Sequence, residues 1–186
     1  MKATVIGLVL AGALAAPANT WHVGQGDVRV ICPMTIGGSF EATTTALSGS
    51  MTSSEAGARA FDGSVAVDLR TLDTGISLRN EHLREKYLEV GKGPGFDTAT
   101  LSEIDLNGVD AGTSEGKGSF TGLLTLHGVR KTVKGSVDVR AQGTGLHVKA
   151  SFPVDLSDYA IVKPRYLGVG VKDILQVEVA FAVTRG

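Results

Sequence analysis

The sequence predicts an all-β protein, an eight-stranded antiparallel up-and-down barrel with one short helix between its third and fourth strands. Two observations carry that reading. Across Phe120–Leu126, Val133–Val139, Leu146–Leu156 and Leu175–Val183, every second residue is apolar or glycine, and nearly every residue between is polar or small. Successive side chains of a strand point to opposite faces, so this period of two describes strands with one apolar and one wet face. Only Leu78–Val90 changes to a helical period, and no connection is of Greek-key length, which favours a barrel over a sandwich.

Taken in order, Asp27–Ile31 is the first strand and Phe40–Met51 the second, its period blurred by Gly, Ser and Thr. Ala58–Arg70 is clearer, with Phe61, Val65, Val67 and Leu69 on one face and Asp62, Ser64, Asp68 and Arg70 on the other. Leu78–Val90 then sets Leu83, Tyr87 and Val90 at i, i+4 and i+7, an amphipathic helix behind a Ser77 cap that ends in the glycines of Gly91–Gly95. Phe96–Leu106 returns to strand, and a slip in alternation near Ser102 and Glu103 indicates a bulge. Asn107–Gly118 reads as a polar hairpin connection, and Lys117–Leu126 pairs tightly with Thr132–Arg140 around His127-Gly128-Val129-Arg130. Gly143–Leu156 and Asp173–Thr184 complete the eight. Ser157–Gly170, between those last two, is long enough to cover one end of the barrel.

A barrel of eight strands is filled by its own side chains or holds one small ligand. The inward register contains Phe61, Val65 and Val67 from the third strand, then Phe120, Gly122, Leu124 and Val137 from the tight hairpin. The last two strands add Val148, Ala150, Phe152, Val177, Val179 and Phe181, and the helix adds Leu83 and Tyr87. Gly63, Gly122, Gly135 and Ala150 are expected to leave room among the larger side chains. Almost nothing inward titrates, which points to an apolar ligand and away from acid–base chemistry. The alternative is a packed structural barrel that meets a partner protein through its outer surface or loops.

Catalytic and metal chemistry find little support. His82 and Glu85 share a helix face at i, i+3, but no second motif of that kind supplies further ligands. There is no nucleophile elbow, phosphate loop or dinucleotide fingerprint, so no catalytic residue, metal site or cofactor is predicted, and the protein is read as a binder and not an enzyme. Cys32, the only cysteine, excludes an intrachain disulfide and reads as a small buried hydrophobe.

At the N-terminus, Met1 and Lys2 precede the apolar run Ala3–Leu14 and small-x-small sites at Ala13-Leu14-Ala15 and Ala16-Pro17-Ala18. Residues 1–18 are therefore expected to be a secretory signal and residues 19–186 one domain, periplasmic or secreted. The apolar run is too short to span a bilayer. Without Lys2, 17 basic residues face 19 acidic ones with no block of like charge, a poor match to nucleic acid.

Four stretches resemble the successive motifs of the YceI-like family, in the same order and at similar separations. They are Arg79-Asn80-Glu81-His82-Leu83, Gly93-Pro94-Gly95-Phe96, Gly122-Leu123-Leu124-Thr125-Leu126-His127-Gly128-Val129-Arg130-Lys131 and Val171-Lys172-Asp173. The match runs from about Trp21 to Thr184, and the Leu-Thr-Leu-His-Gly-Val hairpin is its most specific part. The resemblance implies a lipocalin-like barrel that holds a long isoprenoid, such as a polyprenyl chain or an isoprenoid quinone, in its lumen. It also implies head-group contacts at the mouth, for which Arg79, His82 and Tyr159 are the candidates. Members often carry an arginine where this chain has Leu156, and histidines where it has Val30 and Phe40.

Overall fold

The computed structural model describes residues 19–53, 59–109, 115–166 and 169–186. The expected export signal, residues 1–18, and the middle of the connection between residues 107 and 118 lie outside the described residues. The strands are β1 (Asn19–Pro33), β2 (Ser39–Thr44), β3 (Leu47–Ser53), β4 (Ala60–Asp68), β5 (Thr98–Asn107), β6 (Gly116–Leu126), β7 (Val129–Gln142) and β8 (Gly145–Asp155). A two-stranded ribbon, β9 (Arg165–Tyr166) and β10 (Val169–Gly170), precedes β11 (Ile174–Arg185).

Antiparallel pairing runs in chain order from β3 through β8 to β11, and β1 joins β11 to β2 and β3, so the sheet closes. β2 and β3 are two halves of one barrel strand. β2 pairs with β1 over Val28–Pro33 and β3 pairs with it over Asn19–His22. The sequence reads Phe40–Met51 as one strand, whereas the structure interrupts it at Thr45 and Ala46. Buried Thr44 is the reason: its Oγ1 accepts from Ala46 N–H at 3.0 Å and shares a 2.5 Å hydrogen bond with the distant Thr71 Oγ1, side-chain bonds that replace the ladder. The first strand is also longer than expected, because Gly24 and Gly26, which blur its alternation, form a bulge within the β1–β11 ladder.

Other elements follow the pattern closely. Strand β5 shifts register between Ser102 and Asp105, and Glu103 takes a φ of 50°, as the slip in alternation indicates. The β6–β7 hairpin turns on two residues, His127 (φ 51°) and Gly128 (φ 74°), the positive-φ pair that suits the twist of a tight hairpin. Among the described residues, no helix is long and apolar enough to cross a membrane.

The helix is shorter and wider than its period suggests. Ser77–Glu81 is α-helical (α1), His82–Tyr87 forms a π-helical turn, and Val90–Lys92 is a separate 3₁₀ turn. Ser77 is the first helical residue and not its cap; the cap position is Ile76, with no side-chain bond. Leu88 N–H donates to Leu83 C=O, the i→i−5 bond of a π turn, which sets Leu83 and Leu88 on one face. Both reach the barrel interior, as the i, i+5 spacing requires.

The glycines correct a second expectation. An added Cβ at Gly135 would lie 2.3 Å from Ser151 C=O and 2.7 Å from both Phe120 Cε1 and Phe152 Cβ, and at Gly122 it would lie 2.8 Å from Leu101 Cδ1. Gly63, at φ 105°, is pinched against Ser50 C=O. These positions leave no room in the lumen; neighbouring side chains and backbone already occupy the space. The Phe120 and Phe152 rings meet edge to face, centroids 5.5 Å apart, over Gly135. Gly135→Ala is therefore expected to lower stability by about 1–3 kcal/mol through overpacking. A shifted midpoint in urea unfolding checks this, and an unchanged midpoint would contradict it.

Candidate ligand-binding lumen and its mouth

Closure leaves an interior cavity of about 260 Å³ that runs the length of the barrel. Trp21, Met51, Phe61 and Leu146 line one end; Cys32, Phe40, Leu72, Ile161, Pro164 and Val171 line the other. Among the described lining side chains, the only heteroatoms are the Trp21 indole nitrogen and the sulfurs of Cys32 and Met51. Water in such a space finds few partners, and an engineered apolar cavity of about 150 Å³ stays dry and takes up benzene. Unfilled volume also costs packing, roughly 24 cal/mol per Å³, so this lumen forgoes about 6 kcal/mol relative to a filled core. That is comparable with the whole net stability of many domains. An apolar guest would recover part of it.

Of the residues that the sequence places in the lumen, Phe61, Val65, Val67, Leu83, Phe120, Leu124, Val137, Val148, Ala150, Phe152, Val177, Val179 and Phe181 all line it. Gly122 and Tyr87 do not. Leu101 covers Gly122, and Tyr87 packs on the outer part of the core because the π turn gives the inward position to Leu88. The missed lining residues include Val28, Val30 and Cys32 on β1, whose alternation was legible, and Leu72, Ile161 and Val171, which sit in connections with no period to reveal them.

One end of the barrel is built up by the connections after β1, β4, β6 and β8. Here Arg79 on α1 lays its guanidinium over the Phe40 ring, 4.4 Å from the centroid. Phe40 belongs to the lumen wall, so Arg79 is a cation at its rim. Nearby Cys32 is buried, and burial pushes its thiol up to about 11 against a smaller downward pull from Arg79. Arg84, which the sequence gives no reason to single out, donates from Nη2 to Leu72 C=O at 3.0 Å. Its buried Nε finds no partner among the described residues. His82 is exposed and stands outside the lumen lining.

Tyr159 corrects the expectation of a head-group contact. It is 1% exposed, packed in the main core, and absent from the lumen lining. Burial pushes its phenol up to about 12. The 3₁₀ turn Leu156–Tyr159 explains the burial, since it folds the residues after β8 inward against the hairpin. What Tyr159 does supply is a carbonyl. His127 Nδ1 lies 2.9 Å from Tyr159 O, and Nε2 lies 2.9 Å from Glu89 Oε2. Both partners are acceptors, so the ring donates to at least one of them. One imidazole thus ties the β6–β7 turn to the segment after the helix and to the Leu156–Tyr159 turn. Phe96 packs edge-on against the same ring, centroids 4.8 Å apart, and Gly128 N–H donates to Gly95 C=O at 2.8 Å. The glycine-rich and histidine-containing stretches, far apart in sequence, meet at this junction.

A family model, the YceI-like domain, matches residues 22–183. The chain belongs to the YceI-like family. Solved structures share the fold. A polyisoprenoid binding domain from Saccharophagus degradans, implicated in plant cell wall breakdown, superposes with a TM-score of 0.65 at 14% identity, over 89% of this chain and 98% of that one. Burkholderia cenocepacia BcnA gives 0.67 at 19% identity over 84% and 95%, and the Campylobacter jejuni YCEI protein 0.59 at 16% over 80% and 85%. No curated protein matches the sequence.

In this YceI-like barrel, Glu89 carries a further load. Lys92 Nζ bonds its Oε1 at 2.8 Å, and this bond together with that to His127 holds its carboxyl below the ordinary value of 4.5. A depressed carboxyl contributes stability that is present above the ordinary value and lost as pH falls through the folded one. Glu89→Gln is expected to be less stable than the native chain at about pH 7, with the gap narrowing below about pH 4.5. Urea unfolding of both proteins at the two pH values checks this; a gap that stays constant contradicts it.

Proposed function

We propose that this protein is a carrier or scavenger that holds an isoprenoid or a similar long-chain amphiphile, such as a polyprenyl chain or an isoprenoid quinone, in its lumen. The observation that carries the reading is the 260 Å³ hydrocarbon-lined cavity, within a fold shared with a polyisoprenoid binding domain. Burying each CH₂ contributes roughly 0.8 kcal/mol, so two or three isoprene units supply on the order of 10 kcal/mol before the entropy of fixing the ligand is subtracted. The tail then provides most of the affinity, and a polar head at the rim needs only to be oriented, a task suited to Arg79. Val30, Phe40 and Leu156 all line the cavity in place of the polar residues often found there in the family, so this lumen favours a ligand with little polarity below its head. The same cavity weighs against a packed barrel that acts only through its surface. Function rests on binding and not on catalysis, and the apolar N-terminal segment supports a site of action in the periplasm or outside the cell.

Trp21, the only tryptophan, lines the lumen and gives a direct readout. Titration with a short-tailed isoprenoid quinone is expected to quench its fluorescence saturably. Ala150→Phe, which places a ring in the cavity, should weaken binding at least about tenfold while the protein stays folded. Quenching that never saturates, or that the substitution leaves unchanged, would sink the reading.

A further inference from the structure

The five large apolar side chains that stand exposed among the described residues are Ile36, Ile76, Leu78, Val162 and Ile174, from 49% exposed at Ile76 to 73% at Val162. All five lie at the Arg79 end of the barrel. Ile36 is in the β1–β2 connection, Ile76 and Leu78 flank the first residue of α1, and Val162 and Ile174 bracket the β9–β10 ribbon. Backbone bonds draw these segments together. Thr35 N–H donates to Gly170 C=O at 2.8 Å, Lys172 N–H to Pro33 C=O at 2.8 Å, and Val171 N–H to Pro164 C=O at 3.2 Å. Helix α1 joins the group through Arg79 over Phe40, at the start of β2. The opposite end is different in kind: among the described residues of its connections, Arg59, Gly108, Gly143 and Thr144 carry no large apolar side chain, and Val109 packs against the main core.

We infer that this rim docks on the surface of an anionic phospholipid bilayer and loads or releases the lumen's ligand there. The inference rests on the ligand class proposed above. Val162 lies between the lumen-lining residues Ile161 and Pro164, and the outward Ile174 precedes the lumen-lining Leu175, so exposed apolar side chains stand within one or two residues of the lumen wall. A water-insoluble tail crosses this rim without meeting water only if the rim is itself sunk in hydrocarbon. Charge at this end is mixed. Arg79, Lys163 and Lys172 stand among the rim residues with Asp73 and Asp173; Lys163 pairs with Asp173 at 2.5 Å, Asp158 pairs with Lys131, and Glu81 and Glu85 follow further along the helical segment. Arg79 and Lys172 form no ion pair among the described residues and are left to meet an anionic surface. Exposed apolar side chains with interspersed cations are the pattern of surface-bound, non-spanning membrane contacts.

The test is flotation of the full chain with vesicles of phosphatidylethanolamine and phosphatidylglycerol, against the variant Leu78→Asp/Val162→Asp, whose exposed positions leave the core untouched. The native chain is expected to float with the vesicles and the variant to lose at least tenfold in partitioning, with equal quinone quenching of Trp21 in both. Failure of the native chain to float, or equal flotation of the variant, would overturn docking. A native dimer that the double substitution dissolves would overturn it also, by giving the patch to a second copy. Loss of quinone quenching with flotation intact would instead strike the ligand reading and leave the docking surface standing.

Discussion

β1 hydrogen-bonds to β11 along one edge and to β2 and β3 along the other, and this double pairing turns an eight-stranded sheet into a tube. Everything else about the interior follows from that closure. Alternate side chains of every strand have no destination but the lumen, so they must be apolar, and the cross-section is set by strand number and tilt and not by their volume. Val and Leu predominate over aromatic residues on the inner face, and the lining side chains fall short of filling the tube. The cavity is thus a consequence of geometry and side-chain size together.

Support and access share one end of the barrel. There a single imidazole, His127, joins a hairpin turn, the segment after the helix and the turn after β8, with Phe96 edge-on against it. The family's most specific motif is therefore structural here: it pins the connections that surround the lumen's rim. Beside this junction, Leu83 and Leu88 of the π turn and Ile161 and Val171 of the long connection form an apolar ceiling. Arg79 is the one group of the predicted mouth set that the fold sets over a lumen-lining ring.

Much of the fold was legible because a period of two survives wherever a strand separates oil from water. The bulge at Glu103 could be read for the same reason, since it breaks that period locally; the hairpin was legible too, but with a four-residue connection His127–Arg130 where the structure turns on His127 and Gly128 alone. The split second strand could not, because Thr44 acts through a side-chain bond to Thr71, 27 residues away. The helix was placed but its width was not, as an i, i+4, i+7 pattern does not distinguish Tyr87 from Leu88 as the inward residue once a π turn intervenes. Gly122 and Gly135 misled for a different reason. Sequence shows an absent side chain, whereas only packing shows that Leu101, Phe120 and Phe152 take its place. The family resemblance, with a place beside a loop, points Tyr159 to the mouth, and a short 3₁₀ turn buries it instead.

The most direct test of the ligand-holding lumen is native mass spectrometry of the protein as purified from the cells that make it, followed by organic extraction. The account predicts a stoichiometric apolar adduct whose extracted mass matches an isoprenoid or a comparable long-chain amphiphile. A clean mass of the chain alone, unchanged after incubation with isoprenoid quinones and polyprenols, would contradict it.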